Sequence, residues 1–177
     1  MILEVAGMKS PMVVFALYCL LASVAVAQDG FQDELLGHLA GDWIMTGTIA
    51  GDEITHDLSA EWVLGHFYLV FHEVSRERTE TGELAYEAIV TIGWDEPSGQ
   101  YVCQWLDSTG GSGLKGPLGY AKRNGDDLPF VFDDGTGGVI LNTFSYHRDS
   151  DTWDWAIDIT SGEERREFAR VTLKRAE

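Results

Sequence analysis

Two cysteines are too few for a disulfide scaffold, and they exclude a structural zinc site built from thiolates. Basic residues are scarce: 12 Lys and Arg against 29 Asp and Glu leave a formal charge of −17. Nucleic acid and anionic membrane faces require a positive surface, so both are excluded as partners. Signatures of nucleophilic and phosphate chemistry are missing too. Ser112 sits among Gly110, Gly111 and Gly113 without the Gly-x-Ser-x-Gly spacing of a nucleophile elbow, and the stretch has no P-loop spacing and opens no helix. Asp149-x-Asp151 followed by Asp154 lacks the Gly and terminal Glu of a calcium loop and reads as a solvated turn. His38, His56, His66, His72 and His147 form no His-x-x-x-His pair, so no metal site is expected. Disorder is excluded by a composition that is 45% hydrophobic and 11% aromatic, with 6 Trp.

What is present begins with an export signal. Lys9 precedes an apolar core over residues 12–24, and Ala25-Val26-Ala27 is a small-x-small cleavage site. The apolar stretch is shorter than the ~20 residues a spanning helix needs. The expectation is therefore a signal peptide over 1–27, with initiation at Met8 as a variant because Glu4 is foreign to a basic leader. A single domain over 28–177 follows, in the periplasm or outside the cell. Cleavage removes Glu4, Lys9 and Cys19, which leaves the net charge unchanged and Cys103 as the lone thiol. With no basic neighbour in sequence to activate it, Cys103 reads as a small buried apolar side chain.

Beyond a short helical pattern at Phe31, Leu35, Leu36 and Leu39, the periodicity changes to two. The clearest run covers residues 54–64, where Ile54, His56, Leu58, Ala60, Trp62 and Leu64 share a face. Residues 67–74 are apolar on both faces, and residues 84–94 put Leu84, Tyr86, Ala88, Val90, Ile92 and Trp94 on one side. With shorter runs near 41–50, 101–107, 118–122, 128–132, 139–146, 152–159 and 167–174, about ten strands are expected, joined by connections too short for crossover helices. Neighbouring strands should pair antiparallel.

Gly41-Asp42-Trp43 after a short helix resembles the Gly-x-Trp signature of lipocalins and related calycin barrels. The ordered set Glu61-Trp62-Val63-Leu64-Gly65-His66-Phe67, Gly93-Trp94-Asp95, Tyr101-Val102 and Trp105-Leu106-Asp107 is similar to a bacterial family of uncharacterised lipocalin-like domains, over nearly all of residues 35–173. The resemblance implies an all-β fold: an antiparallel up-and-down β-barrel with a short N-terminal helix. It carries no activity. It also implies that Trp43 plugs one end beneath a basic residue of the last strand, with Arg170 the first candidate and Lys174 the second. Closure agrees with the physics, because it removes the sheet edges ten strands would otherwise expose.

Such a barrel either fills itself or holds one ligand. Leu58, Trp62, Phe67, Phe71, Tyr86, Trp105, Phe144, Trp153 and Trp155 are the candidate lining of an apolar cavity, and the Gly-rich stretch near Ser112 suits a loop at the mouth. His56, in phase with the apolar face of its strand, is the one candidate for chemistry, either orienting a polar ligand atom or acting as general base. The leading reading is a secreted or periplasmic barrel that binds a small, mostly apolar molecule. The alternatives are an enzyme using the same cavity with His56 as acid or base, or a filled barrel acting as an interaction module. No cofactor is expected. Barrels of related shape can hold haem through one histidine, which makes His147 and His56 the conceivable ligands, though a single histidine specifies nothing.

Overall fold

The computed structural model describes residues 30, 31, 33–111, 113–133, 135 and 137–177, so the expected export signal lies outside the described residues. One helix, α1 (Glu34–Leu39), leads into β1 (Gly41–Ile49), β2 (Asp52–Val63), β3 (Tyr68–Ser75), β4 (Glu87–Asp95) and β5 (Gln100–Asp107). A single 3-10 turn (Gly113–Lys115) precedes β6 (Gly119–Ala121), β7 (Asp127–Asp133), β8 (Gly138–His147), β9 (Thr152–Ser161) and β10 (Glu164–Arg175). Each strand pairs antiparallel with the next, and β10 returns to β1 to close an up-and-down barrel.

Alternation drives the closure. In β2, His56, Leu58 and Ala60 are buried while Asp57, Ser59 and Glu61 face solvent. The register carries this phase around the wall: Ala60 lies opposite Phe71, which lies opposite Val90, which lies opposite Trp105. The β1–β2 hairpin turns on Ala50 and Gly51, both at positive φ, as a two-residue turn between twisted strands requires.

The helix closes one end. Asp33 caps it by accepting a hydrogen bond from the Leu36 amide at 2.8 Å, which starts the helix at Glu34 rather than at Phe31. Phe31 instead stacks on Trp94 at 5.5 Å. Leu35, Leu36 and Leu39 are fully buried, and the Trp43 indole donates to the Leu39 carbonyl at 2.7 Å. The basic partner of Trp43 is neither Arg170 nor Lys174. Arg175 lies over the ring at 3.8 Å, donates to the Ala40 and His38 carbonyls, and pairs with Asp151 at 2.9 Å. The carbonyls it reaches are those that α1 leaves unpaired at its C-terminus. Arg170 is on the wall instead, where with Arg165 it clamps the buried Asp158 at 2.6 Å each.

The strand expected over 84–94 begins only at Glu87. Residues 76–86 form a loop, tied at its base by the Ser75 amide donating to the Tyr86 carbonyl at 2.9 Å. Cys103 is wholly buried on β5, and burial pushes its thiol pKa up, so it is an inert core side chain.

Candidate functional site

Because α1 fills the end where β1 begins, the space inside the barrel lies toward the end where β1 finishes, at Ile49. Two adjoining cavities of about 500 and 280 Å³ occupy that end, sharing Trp105 and Ile157 in their walls. The larger runs beneath the β5–β6 loop, whose Gly110, Gly111, Gly113, Leu114 and Gly116 line it, so the Gly-rich stretch does lie at the mouth. The smaller reaches His56 on β2, Glu73 and Ser75 on β3, and Tyr86 ahead of β4.

The floor is aromatic. Trp155 stacks on Phe144 at 4.7 Å and meets Trp105 at 5.1 Å, while Phe71 packs edge-on against all three at 5.9–6.3 Å. The indole N–H groups are satisfied without water: Trp105 donates to the Tyr86 hydroxyl at 3.2 Å, and Trp155 to Asn142. This orientation leaves ring faces and edges to the cavity.

One wall is polar. His56 is 4% exposed, and its Nδ1 shares a 2.6 Å hydrogen bond with Oε1 of Glu73, itself 1% exposed. The His56 ring stacks on Tyr86 at 5.7 Å, and its Nε2 faces Glu77 at 3.8 Å. Burial raises the Glu73 pKa above the ordinary carboxylate value, with the His56 hydrogen bond opposing it. Burial, and then the nearby Glu73 charge, raise the Tyr86 phenol pKa as well, so it stays protonated. Glu73 Oε2 has no hydrogen-bond partner among the described residues.

The structure divides the candidate residues named from sequence. His56, Tyr86, Trp105 and Trp155 line the cavities, and Phe71 and Phe144 form the aromatic layer against them. Leu58 and Trp153 are buried core residues, and Trp153 packs on Tyr146 at 4.9 Å. Trp62 lies at the helix end, beside Phe31 at 6.4 Å. Phe67 does not line the interior: it precedes β3 in the β2–β3 turn and is 37% exposed. His147 is likewise exposed at the end of β8, bonded to Asp154 at 2.8 Å, which takes it out of reach of any group held inside. Asp151 serves Arg175 and accepts from the Tyr146 hydroxyl at 3.0 Å, so it is part of the plug. Glu73, Glu77 and Asn142 were not among the candidates. Glu73 had a signal: it continues the spacing of Leu69 and Phe71, which places it inside.

No family model matches the chain, and no curated protein matches it. Among solved structures, a redesigned beta barrel is similar over 80% of this chain and 94% of that chain, at 13% identity and a TM-score of 0.38.

Proposed function

We propose that the protein is a lipocalin-like, calycin-type barrel, exported from the cytoplasm, that binds a small, mostly apolar molecule at the end opposite α1. The observation that carries this reading is the pair of adjoining cavities that meet at Trp105 and Ile157, the smaller reaching Trp155. The larger, a cleft of about 500 Å³ open at the barrel mouth, falls in the range of small-molecule pockets. That space favours an occupant over a filled interaction module. The His56–Glu73 pair also keeps the enzyme reading in view, with His56 as general base on a bound substrate, because the pair has the geometry of a base held by an orienting carboxyl.

The test is native mass spectrometry of protein purified from its own source, together with titration by the apolar fluorophore N-phenyl-1-naphthylamine. A co-purifying small molecule on a chain beginning at Gln28, and saturable one-to-one uptake of the fluorophore, are expected. Ile157→Trp, which fills the shared wall, should abolish that uptake while the fold is kept. No bound molecule and no saturable uptake would overturn the binding reading, and a chain retaining residues 8–27 in a membrane fraction would overturn export by cleavage.

A further inference from the structure

The walls of the cavity are one-sided in charge. Asp52, Glu53, Glu73 and Glu77 line the smaller cavity and Asp107 the larger, while no Lys or Arg lines either among the described residues. Four of these carboxylates stand toward the mouth, where their field concentrates cations and repels anions. Glu73 is different, being deep and 1% exposed, and only one of its two oxygens is bonded. Neither protonation state satisfies Oε2 among the described residues. As a carboxylate oxygen, or as the carbonyl oxygen of an acid protonated at Oε1, it lacks a donor, and as the hydroxyl it lacks an acceptor. A buried polar group left this way is costly, which marks the place where a ligand atom completes the network.

Resting on the binding reading above, we propose that the occupant is a hydrophobic amine, with its ammonium group donating to Glu73 Oε2 and its apolar body over Trp105 and Trp155. An ammonium supplies the missing donors and the missing charge together. The indole faces add attraction for a cation and a fitting surface for an aromatic or aliphatic body. A carboxylic acid ligand would meet five acidic side chains and no Lys or Arg. Burial raises the Glu73 pKa, and an ammonium beside Oε2 favours the carboxylate, so the bound state is a carboxylate–ammonium pair and any proton Glu73 carries passes to the buffer. The groups facing Glu73 during this exchange are His56 from β2, Tyr86 ahead of β4, Glu77 beyond β3 and Asp107 at the end of β5.

Three indoles of similar size separate the charge states: tryptamine, tryptophol and indole-3-propionate. Calorimetric titration of the full chain should show tryptamine binding at least ~10-fold tighter than tryptophol, with indole-3-propionate weakest. Glu73→Gln should bring the tryptamine-to-tryptophol ratio near one. Asp154→Asn, which removes a negative charge from the outer face, should leave the ratio unchanged. Equal affinities in the wild type overturn the inference even if Glu73→Gln fails to fold. Uptake of N-phenyl-1-naphthylamine without any preference for tryptamine overturns the amine and leaves the binding reading standing. Failure of all four probes overturns both.

Discussion

Glu73 illustrates how a single side chain can oppose the fold that holds it. Its carboxyl is buried against an aromatic floor, and its pKa is raised in the folded state by that burial. Below about pH 4.3 the carboxyl is protonated both folded and unfolded, and pH has no leverage through it. Above that value the unfolded chain ionises while the folded one resists, so stability falls as pH rises toward the folded pKa. Glu73→Gln keeps a hydrogen-bonding group for His56 and removes the ionisation. Its advantage in thermal stability over the wild type should be small at pH 4 and grow toward pH 8, reaching about 1–3 kcal/mol, the scale of one unsatisfied buried polar group. Thermal melts of the ligand-free proteins across that range check this, and an advantage that shrinks with pH would mean that Glu73 is stabilised as an anion by His56. The sequence carried half of this pair. His56 stood out because it interrupts an apolar face, whereas Glu73 was hidden in a run that reads as apolar on both faces. The partner of Trp43 was missed for another reason. Arg170, Lys174 and Arg175 all sit near the end of the last strand, and only the pairing of Trp43 with Arg175 in the β1–β10 register decides among them.

At the scale of elements, the period-two pattern located the strands, and the misses cluster where loops intervene. The strand expected from Leu84 loses its first turn of alternation because residues 76–86 bond among themselves, as in the Thr79 amide donating to the Glu83 carbonyl at 2.9 Å. Glycines inside strands also had meanings that pattern alone does not expose. Gly93 lies opposite Tyr68 and Gly119 opposite Phe132, and in each case the aromatic ring covers the glycine, so a Cβ would sit 2.8 or 2.5 Å from it. Gly47, in the middle of β1, is more constrained. Its φ of +147° lies outside the range an L side chain favours, and a Cβ there would fall 2.2 Å from the Arg170 carbonyl oxygen across the β1–β10 seam. That clash is with backbone, which cannot rotate away. Gly47→Ala should therefore destabilise the barrel by roughly 1–3 kcal/mol through backbone strain, with Arg170 and its clamp on Asp158 displaced. Chemical denaturation of this variant beside Gly51→Ala, which also has positive φ but meets nothing within 4 Å, separates the two contributions. Equal losses would show that φ alone sets the cost and that the seam can open without penalty.

For the whole molecule the dominant fact is charge: 29 acidic against 12 basic residues on 177. Ion pairs recover part of it, but most of them, such as Arg76–Asp57 and Arg148–Asp126, lie at exposed sites where such pairs contribute little. The remaining carboxylates repel one another, and more strongly in the compact state than in the expanded chain. Added salt acts on the two contributions in opposite directions, since it screens repulsion between distant carboxylates and also weakens the exposed pairs. Repulsion should win. It sums over many separations beyond the ~10 Å screening length at 0.1 M salt, whereas each pair acts over a few ångströms. Raising sodium chloride from about 10 mM to about 0.5 M should therefore raise the melting temperature, by ~2–4 °C for each kcal/mol of repulsion removed. Chloride is the proper anion for this measurement, because sulfate also strengthens apolar burial and would raise the melting temperature for a different reason. A melting temperature that falls with sodium chloride would show that the exposed pairs, and above all the Arg175 clamp on the helix plug, outweigh the excess negative charge.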